Sequence, residues 1–271
     1  ITPGGVLWLN YTRFVPEKRP VAPLLQLEAV TDTAVSRDKK NMAIKEVAAS
    51  PEVTLVNVDS ENPTRSVVQF AAGSYTAPED PATVSFNLES WDRDNRYVLI
   101  RHLFDGKTEW LVLDTRDKKI VNNVSATAGL DIKTAQFTFA NNRALYILTA
   151  SGEVRRVDLG TNTASDPLVT NVQEFSQFDR STIVFTTLVD PATKIRSVGY
   201  LTNGARLSRT LRSYADDGQS ALHIAIGHYY NQNYAAISYG ETVDIMRGDL
   251  PGSDNTDASM MKRVATMSVP G

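Results

Sequence analysis

The chain has 271 residues, 42% of them hydrophobic, with 28 basic and 31 acidic side chains and a formal net charge of −3. This balance gives no electrostatic reason to expect a nucleic-acid partner, which would need a basic stripe. No apolar run approaches the roughly 18 residues of a membrane-spanning helix, and the absence of cysteine excludes disulfides, thiolate catalysis and cysteine-based metal sites.

The N-terminal region, residues 1–26, combines one apolar segment with a proline-rich connection. Residues 6–11 are typical of a β-strand, and Pro16, Pro20 and Pro23 follow it. The chain opens at Ile1 without a charged and apolar leader, so no signal peptide is visible and a mature or trimmed chain is indicated.

From residue 27 onward the hydrophobic pattern has the two-residue period of β-strands. A polar turn followed by an apolar strand recurs at residues 36–44, 91–100, 139–148 and 178–185, with a weaker copy at 228–237. The third strands of these copies end near anchor residues spaced 42 to 55 apart: Asp59, Asp114, Asp158, Tyr200 and Met246. Intervals of about 40–50 residues predict an all-β fold, a β-propeller of four-stranded antiparallel blades.

About five blades are predicted, at residues 27–70, 83–123, 132–170, 172–211 and 221–269. A loop-like insertion at residues 71–81 explains the longest interval. The strand at residues 6–11 is expected to complete a blade from the opposite end of the chain, which would remove an exposed edge. Five is a rare closed number of blades, so the sequence leaves open a larger propeller and a chain that continues before Ile1 or beyond Gly271.

The densest polar cluster of the chain is the turn that begins at Asp92. Asp92 and Asp94 are candidate oxygen ligands for calcium, but Tyr97 and Leu103 stand where the EF-hand spacing requires glycine and glutamate. A tight turn capped by its own side chains is therefore favoured.

The three histidines lack the partners of a metal site. His223 and His228 lie five residues apart, which places them on opposite faces of a strand. His102 is interpreted as a hydrogen-bonded residue of a β-hairpin. Nucleophile-elbow and phosphate-binding glycine motifs are absent too. No metal, cofactor or catalytic residue is predicted, although a triad assembled from distant blades stays open.

Binding residues are predicted among the aromatic side chains and their polar neighbours. Trp91 and Trp110 are expected chiefly to fill the wedges between blades. Tyr229 and Tyr230 precede a turn, where one ring is expected to be exposed, so they are the better contact candidates. The predicted binding residues are Trp91, Asp92, His228, Tyr229 and Tyr230.

Several stretches resemble a group of bacterial cell-envelope proteins. Residues 4–16, Gly-Gly-Val-Leu-Trp-Leu-Asn-Tyr-Thr-Arg-Phe-Val-Pro, are similar to the segment that joins a PEGA domain to a propeller-like region in that group. Residues 89–92, 96–99 and 108–114 resemble parts of the same region, so the resemblance spans about residues 4–246. The PEGA module itself is absent from the chain. The resemblance implies a membrane-tethered, outward-facing protein, and it carries over no catalytic residue.

The sequence thus predicts a non-catalytic, extracytoplasmic binding or interaction module of the bacterial cell envelope. Its partner is an unknown protein or polysaccharide, its oligomeric state is open, and any tether lies outside these residues. A propeller hydrolase or lyase acting on glycans and a structural spacer are the alternatives. Two or three carboxylates about 5–10 Å apart at the axis would favour the hydrolase, whereas an axis lined by Ser, Thr and apolar residues would argue against it.

Overall fold

The computed structural model describes residues 30–59, 63–141, 143–203, 207–250 and 261–268. In this part of the chain, twenty β-strands form five four-stranded sheets. The predicted strand at residues 6–11 lies outside the described residues. None of the described helices has the length and apolar character needed to cross a bilayer.

Each sheet is a meander in which every strand pairs antiparallel with the next strand of the chain, as predicted for a propeller blade. The first blade comprises β1 (Asp32–Val35), β2 (Asn41–Lys45), β3 (Glu52–Asn57) and β4 (Thr64–Gln69); the second β5 (Ser85–Trp91), β6 (Tyr97–Phe104), β7 (Lys107–Asp114) and β8 (Lys119–Asn123); the third β9 (Ile132–Phe137), β10 (Ala144–Thr149), β11 (Val154–Asp158) and β12 (Thr163–Ala164); the fourth β13 (Val172–Gln177), β14 (Thr182–Thr187), β15 (Ile195–Thr202) and β16 (Arg209–Ala215); and the fifth β17 (Leu222–Tyr229), β18 (Gln232–Tyr239), β19 (Thr242–Arg247) and β20 (Lys262–Ser268).

The blades follow one another in space in their chain order. The first strand of one blade contacts the first strand of the next between β1 and β5, β5 and β9, and β13 and β17, and β10 meets β13 between the third and fourth blades. First strands therefore lie on the inside of the molecule, and the later strands of each blade lie progressively farther out.

Hydrophobic clusters fill the four junctions between the described blades. In β6, Val98 and Ile100 face the first blade while Leu99 faces the third, and all three are fully buried. A strand covered on both faces has no polar side, which explains why its sequence is a continuous apolar run.

The two described tryptophans bridge neighbouring blades. Trp91 packs between the first two blades and donates its Nε1 hydrogen to the carbonyl of Ala34 at 2.9 Å. Trp110 packs between the second and third and donates to the carbonyl of Ile132 at 3.0 Å. These contacts confirm the prediction that both rings fill wedges between blades.

One short helix, α1 (Val124–Ala128), interrupts the β pattern after β8. The Asn123 side chain accepts a hydrogen bond from the backbone N–H of Ala126 at its start, and Gly129 ends it at a φ of 62°. Five residues are too few to show a helical stripe, so the hydrophobic period did not predict it.

Candidate functional site

Two of the repeated polar turns cap themselves with the side chain of their leading acid. Asp92 Oδ1 accepts hydrogen bonds from the backbone N–H groups of Arg96 and Tyr97, both at 2.7 Å. Asp179 Oδ1 accepts in the same way from two N–H groups of its own turn. The carboxylate thus fixes the reversal between the first and second strands of a blade.

These turns are also linked from blade to blade, which places them at one end of the molecule, here called the turn end (residues 36–40, 92–96, 138–141, 178–181 and 230–231). Asn95 Oδ1 accepts a hydrogen bond from the backbone N–H of Arg37 at 2.9 Å. Arg93 Nη1 donates to the carbonyl of Phe139 at 3.4 Å. The later links join Gln177 Oε1 to the N–H of Phe139 at 2.8 Å and the ring of Phe178 to that of His228 at 6.0 Å.

A cavity of about 480 Å³, the axial cleft, opens between the first strands of the first three blades. Its lining carries mainly hydroxyl, amide and apolar groups. The lining includes Thr33, Val35, Glu89, Ser90, Gln136 and Thr138; the part that belongs to the turn end, here called the entrance, contains Arg37, Arg93 and Phe139.

Two arginines line the entrance of the axial cleft. The Arg37 guanidinium lies 5.0 Å from the centroid of the Phe139 ring, and Arg93 also approaches this residue. Among the described residues, neither guanidinium has a carboxylate within ion-pair distance. Glu89 is the one carboxylate of the described lining, and it is paired with Arg101 Nε at 2.7 Å.

Two of the predicted binding residues sit at this entrance but are buried. Trp91 is 7% exposed and lines the cleft. Asp92 is fully buried; burial raises the pKa of its carboxyl, while the backbone N–H groups of its own turn act in the opposite direction. The contacts of Asp92 are those of a turn cap, and a binding role for either residue stays a prediction.

The other three predicted residues belong to the fifth blade. Tyr229 and Tyr230 are 66% and 84% exposed, with ring centroids 4.5 Å apart in an edge-to-face arrangement, so both rings are exposed where one was expected to be. Tyr230 and Asn231 form the turn with positive φ values of 45° and 56°. A positive φ is uncommon for a bulky side chain. With His228, these residues lie at the turn end but do not line the axial cleft.

A buried polar cluster at the opposite end of the second blade joins His102 to Glu109. His102 Nδ1 lies 2.8 Å from Glu109 Oε1, which confirms the hydrogen-bonded interpretation of this histidine. Glu109 also accepts hydrogen bonds from Thr76 and Asn123. Burial raises the pKa of Glu109, but the hydrogen bonds outweigh it and the net pKa is lowered.

The Thr76 contacts tie the insertion at residues 71–81 onto the second blade. In the described part of the chain, no group of three or more His, Asp or Glu side chains is placed to hold a metal ion. Arg37 and Arg93 were not among the binding residues predicted from the sequence. The only feature of the sequence that marked them was their position in the repeated polar turns.

No protein-family model and no curated protein sequence matches the chain. Solved structures do resemble it. A chain of a yeast heterotrimeric nucleoporin complex matches with a TM-score of 0.60 and 8% identity over 92% of this chain and 77% of that one. A functionally unknown protein from Desulfotomaculum acetoxidans matches at 0.53 and 13%, over 90% and 72%. The periplasmic gluconolactonase of Pseudomonas aeruginosa matches at 0.52 and 13%, over 88% and 72%.

These matches include a nucleoporin complex, an enzyme and a protein of unknown function, and at such low identity the likeness shows the fold alone. Together with the five four-stranded blades, it identifies the chain as a β-propeller.

Proposed function

We propose that this propeller is a non-catalytic binding or interaction module of the bacterial cell envelope, and that its ligand or partner engages the turn end. The observation that carries the proposal is the axial cleft, whose entrance holds the guanidinium groups of Arg37 and Arg93 without carboxylate partners in the described chain. The exposed rings of Tyr229 and Tyr230 at the same end add contact surface. The resemblance of residues 4–16, 89–92, 96–99 and 108–114 to PEGA-containing envelope proteins supports the extracytoplasmic location.

The composition of the cleft favours binding over glycan hydrolysis. A hydrolase of the usual kind needs two carboxyl groups, one as acid and one as base or nucleophile, about 5–10 Å apart. Glu89 is the one carboxylate in the described lining, and its ion pair with Arg101 occupies it. Thr33, Ser90 and Thr138 are suited to hydrogen bonding rather than to proton transfer at neutral pH.

Thermal denaturation with a panel of peptide and oligosaccharide fragments of bacterial envelopes tests this proposal. Gln136→Trp would fill the cleft, and Gln219→Trp places the same ring on an exposed loop as a control. We expect at least one fragment, at about 100 times its Kd, to raise the Tm of the wild type and the control by roughly 5 °C or more. Gln136→Trp should lose this shift, and mass spectrometry should recover the fragment intact.

Other outcomes point to the alternatives. Cleavage of the stabilising fragment would establish an enzyme, and a panel without effect on any variant would favour a spacer. The location is tested separately by fractionating cells that carry the tagged natural protein. Recovery in the cytosol rather than with the envelope would contradict that part of the proposal.

A further inference from the structure

We infer that the axial cleft binds an acidic polypeptide segment, whose carboxylates are held between Arg37 and Arg93. This inference rests on the proposed binding function and specifies the chemistry of its partner.

Arg37 is held in place without an ion pair to a carboxylate of the described chain. Its backbone N–H donates to Asn95, and its guanidinium lies over the ring of Phe139 at 5.0 Å from the centroid. Contact with an aromatic face orients a guanidinium group while leaving its in-plane N–H groups available. A planar fork held in this way matches the two oxygens of a carboxylate.

Arg93 contacts the backbone of the same residue. One of its N–H groups donates a long hydrogen bond to the carbonyl of Phe139 at 3.4 Å. A guanidinium group has about five N–H donors, so the others remain available for a ligand. Both arginines are exposed, so a ligand can reach them. Two guanidinium groups that converge on one phenylalanine define a cradle for anionic groups at the entrance of the cleft.

Two neighbouring acids have their contacts elsewhere. Glu89 is paired with Arg101, and Asp38, the residue after Arg37, accepts hydrogen bonds from the Ser36 hydroxyl at 2.6 Å and the Lys40 N–H at 3.0 Å. The protein as a whole has a formal charge of −3. Attraction of an acidic ligand would therefore come from the local field of the entrance, not from the net charge.

The cradle suits a peptide better than an acidic sugar. A sugar ring stacks on an open aromatic face, and the Phe139 face is covered by Arg37. Elsewhere in the lining, Gln136 and Ser90 offer donors and acceptors that match a peptide backbone.

Fluorescence anisotropy with a labelled hexaglutamate peptide tests the inference, with hexaglutamine as the uncharged control. Hexaglutamate should bind the wild type more tightly than hexaglutamine, and more weakly as salt rises. Arg37→Met and Arg93→Met should each weaken binding by about tenfold or more. Arg156→Met removes an exposed arginine of the third blade and should have no effect. Arg37→Lys keeps the charge but loses the fork, so its effect should be intermediate.

Equal affinity for the two peptides, or an equal loss in Arg156→Met, would overturn the inference. So would a hexagalacturonate that displaces hexaglutamate at lower concentration, since it would identify an acidic polysaccharide as the better ligand. A neutral fragment whose binding is lost in Gln136→Trp would leave the proposed function standing without this inference. If nothing binds, both fail. Urea midpoints of all variants show whether they are folded.

Discussion

His102 Nδ1 lies 2.8 Å from Glu109 Oε1 in a pair that aromatic rings shield from water. The imidazole is stacked between Phe86 and Phe104, with centroids at 4.2 and 4.7 Å, and Tyr75 meets it edge-on at 5.5 Å. A buried carboxylate is costly unless donors surround it. The pair therefore holds the insertion against the second blade, because Tyr75 and the Thr76 donors to Glu109 belong to that insertion.

Glu109→Ala should lower the free energy of unfolding by about 2–4 kcal/mol, because four contacts, one of them buried and three partly buried, lose the carboxylate. Urea denaturation measures the loss. Glu153→Ala breaks the part-exposed ion pair with Arg155 and should cost less than about 1 kcal/mol. A loss as small for Glu109→Ala would show that the cluster contributes little to stability.

The change in unfolding free energy at acid pH should depend on Glu109. Its pKa is lowered in the folded state, so its stabilisation is fully present above the ordinary value of 4.5 and is lost as pH falls through the lower folded value. The difference in unfolding free energy between wild type and Glu109→Gln should therefore shrink on acidification below about pH 4.5. A difference that stays constant down to acid unfolding would contradict the lowered pKa.

Lys45 lies beside the same aromatic rings, and it should make the stability of the protein depend on pH on the alkaline side. Its ammonium lies 5.3 Å from the Phe86 centroid and donates to the carbonyl oxygens of Ser50 and Glu52. Burial lowers its pKa from 10.5 to about 8, with the Glu52 carboxylate opposing. Between these values the unfolded chain binds a proton that the folded chain lacks, so stability should rise with pH, by up to about 3 kcal/mol.

Urea denaturation at pH 7, 8, 9 and 10 tests this prediction against Lys45→Met. The variant leaves the Ser50 and Glu52 carbonyls without their donor, so its stability at a single pH does not report on titration. The informative quantity is the change of its unfolding free energy with pH. Parallel curves for the two proteins would show that Lys45 titrates at its ordinary pKa.

Much of this architecture follows from sequence pattern because blade strands and turns are local. The Asp105–Gly106 pair adopts φ values of 48° and 71°, as a two-residue hairpin turn requires. Residues at equal distances on either side of such a turn lie opposite each other, so the pairing of His102 with Glu109 could be predicted from the sequence. The residues that cover this pair could not be predicted, because the insertion that carries Tyr75 comes from a different part of the chain.

The axial cleft could not be predicted from the sequence. Arg37, Arg93 and Phe139 come from three different blades, and their meeting depends on how blades are inclined to one another. The tryptophans were predictable because a large aromatic residue in a blade strand has few places to go other than a wedge.

Trp110→Ala should cost roughly 3–5 kcal/mol, since the ring is 2% exposed and packed between two blades. Trp110→Phe keeps most of the packing but loses the hydrogen bond to Ile132, so about 1–2 kcal/mol is expected. Tyr230→Ala removes a ring exposed to water and serves as the control. A loss below 1 kcal/mol for Trp110→Ala would show that the wedge is not packed as described.

Gly199 is required by the ring that lies across from it. A Cβ at this position would lie 2.6 Å from Phe185 Cζ and 3.1 Å from the carbonyl of Arg209. Gly199→Ala should therefore lower the unfolding free energy by about 1–3 kcal/mol, whereas Gly227→Ala, which meets nothing within 4 Å, should change it by less than about 0.5 kcal/mol. In a double-mutant cycle, Phe185→Leu should relieve part of the Gly199→Ala loss, and strict additivity would contradict the clash.

The Tyr230–Asn231 turn is less stable than an Asn-Gly turn would be, but it presents an exposed aromatic ring. Both residues hold positive φ, which costs a non-glycine residue about 1–2 kcal/mol, and Asn-Gly is the pair that such a turn prefers. Tyr230→Asn combined with Asn231→Gly should therefore raise the unfolding free energy by about 1 kcal/mol. If Tyr230 is retained for contact, the same variant should weaken binding of whichever panel fragment stabilises the wild type. Unchanged binding would remove Tyr230 from the site, and a loss of stability would show that the ring supports the fold.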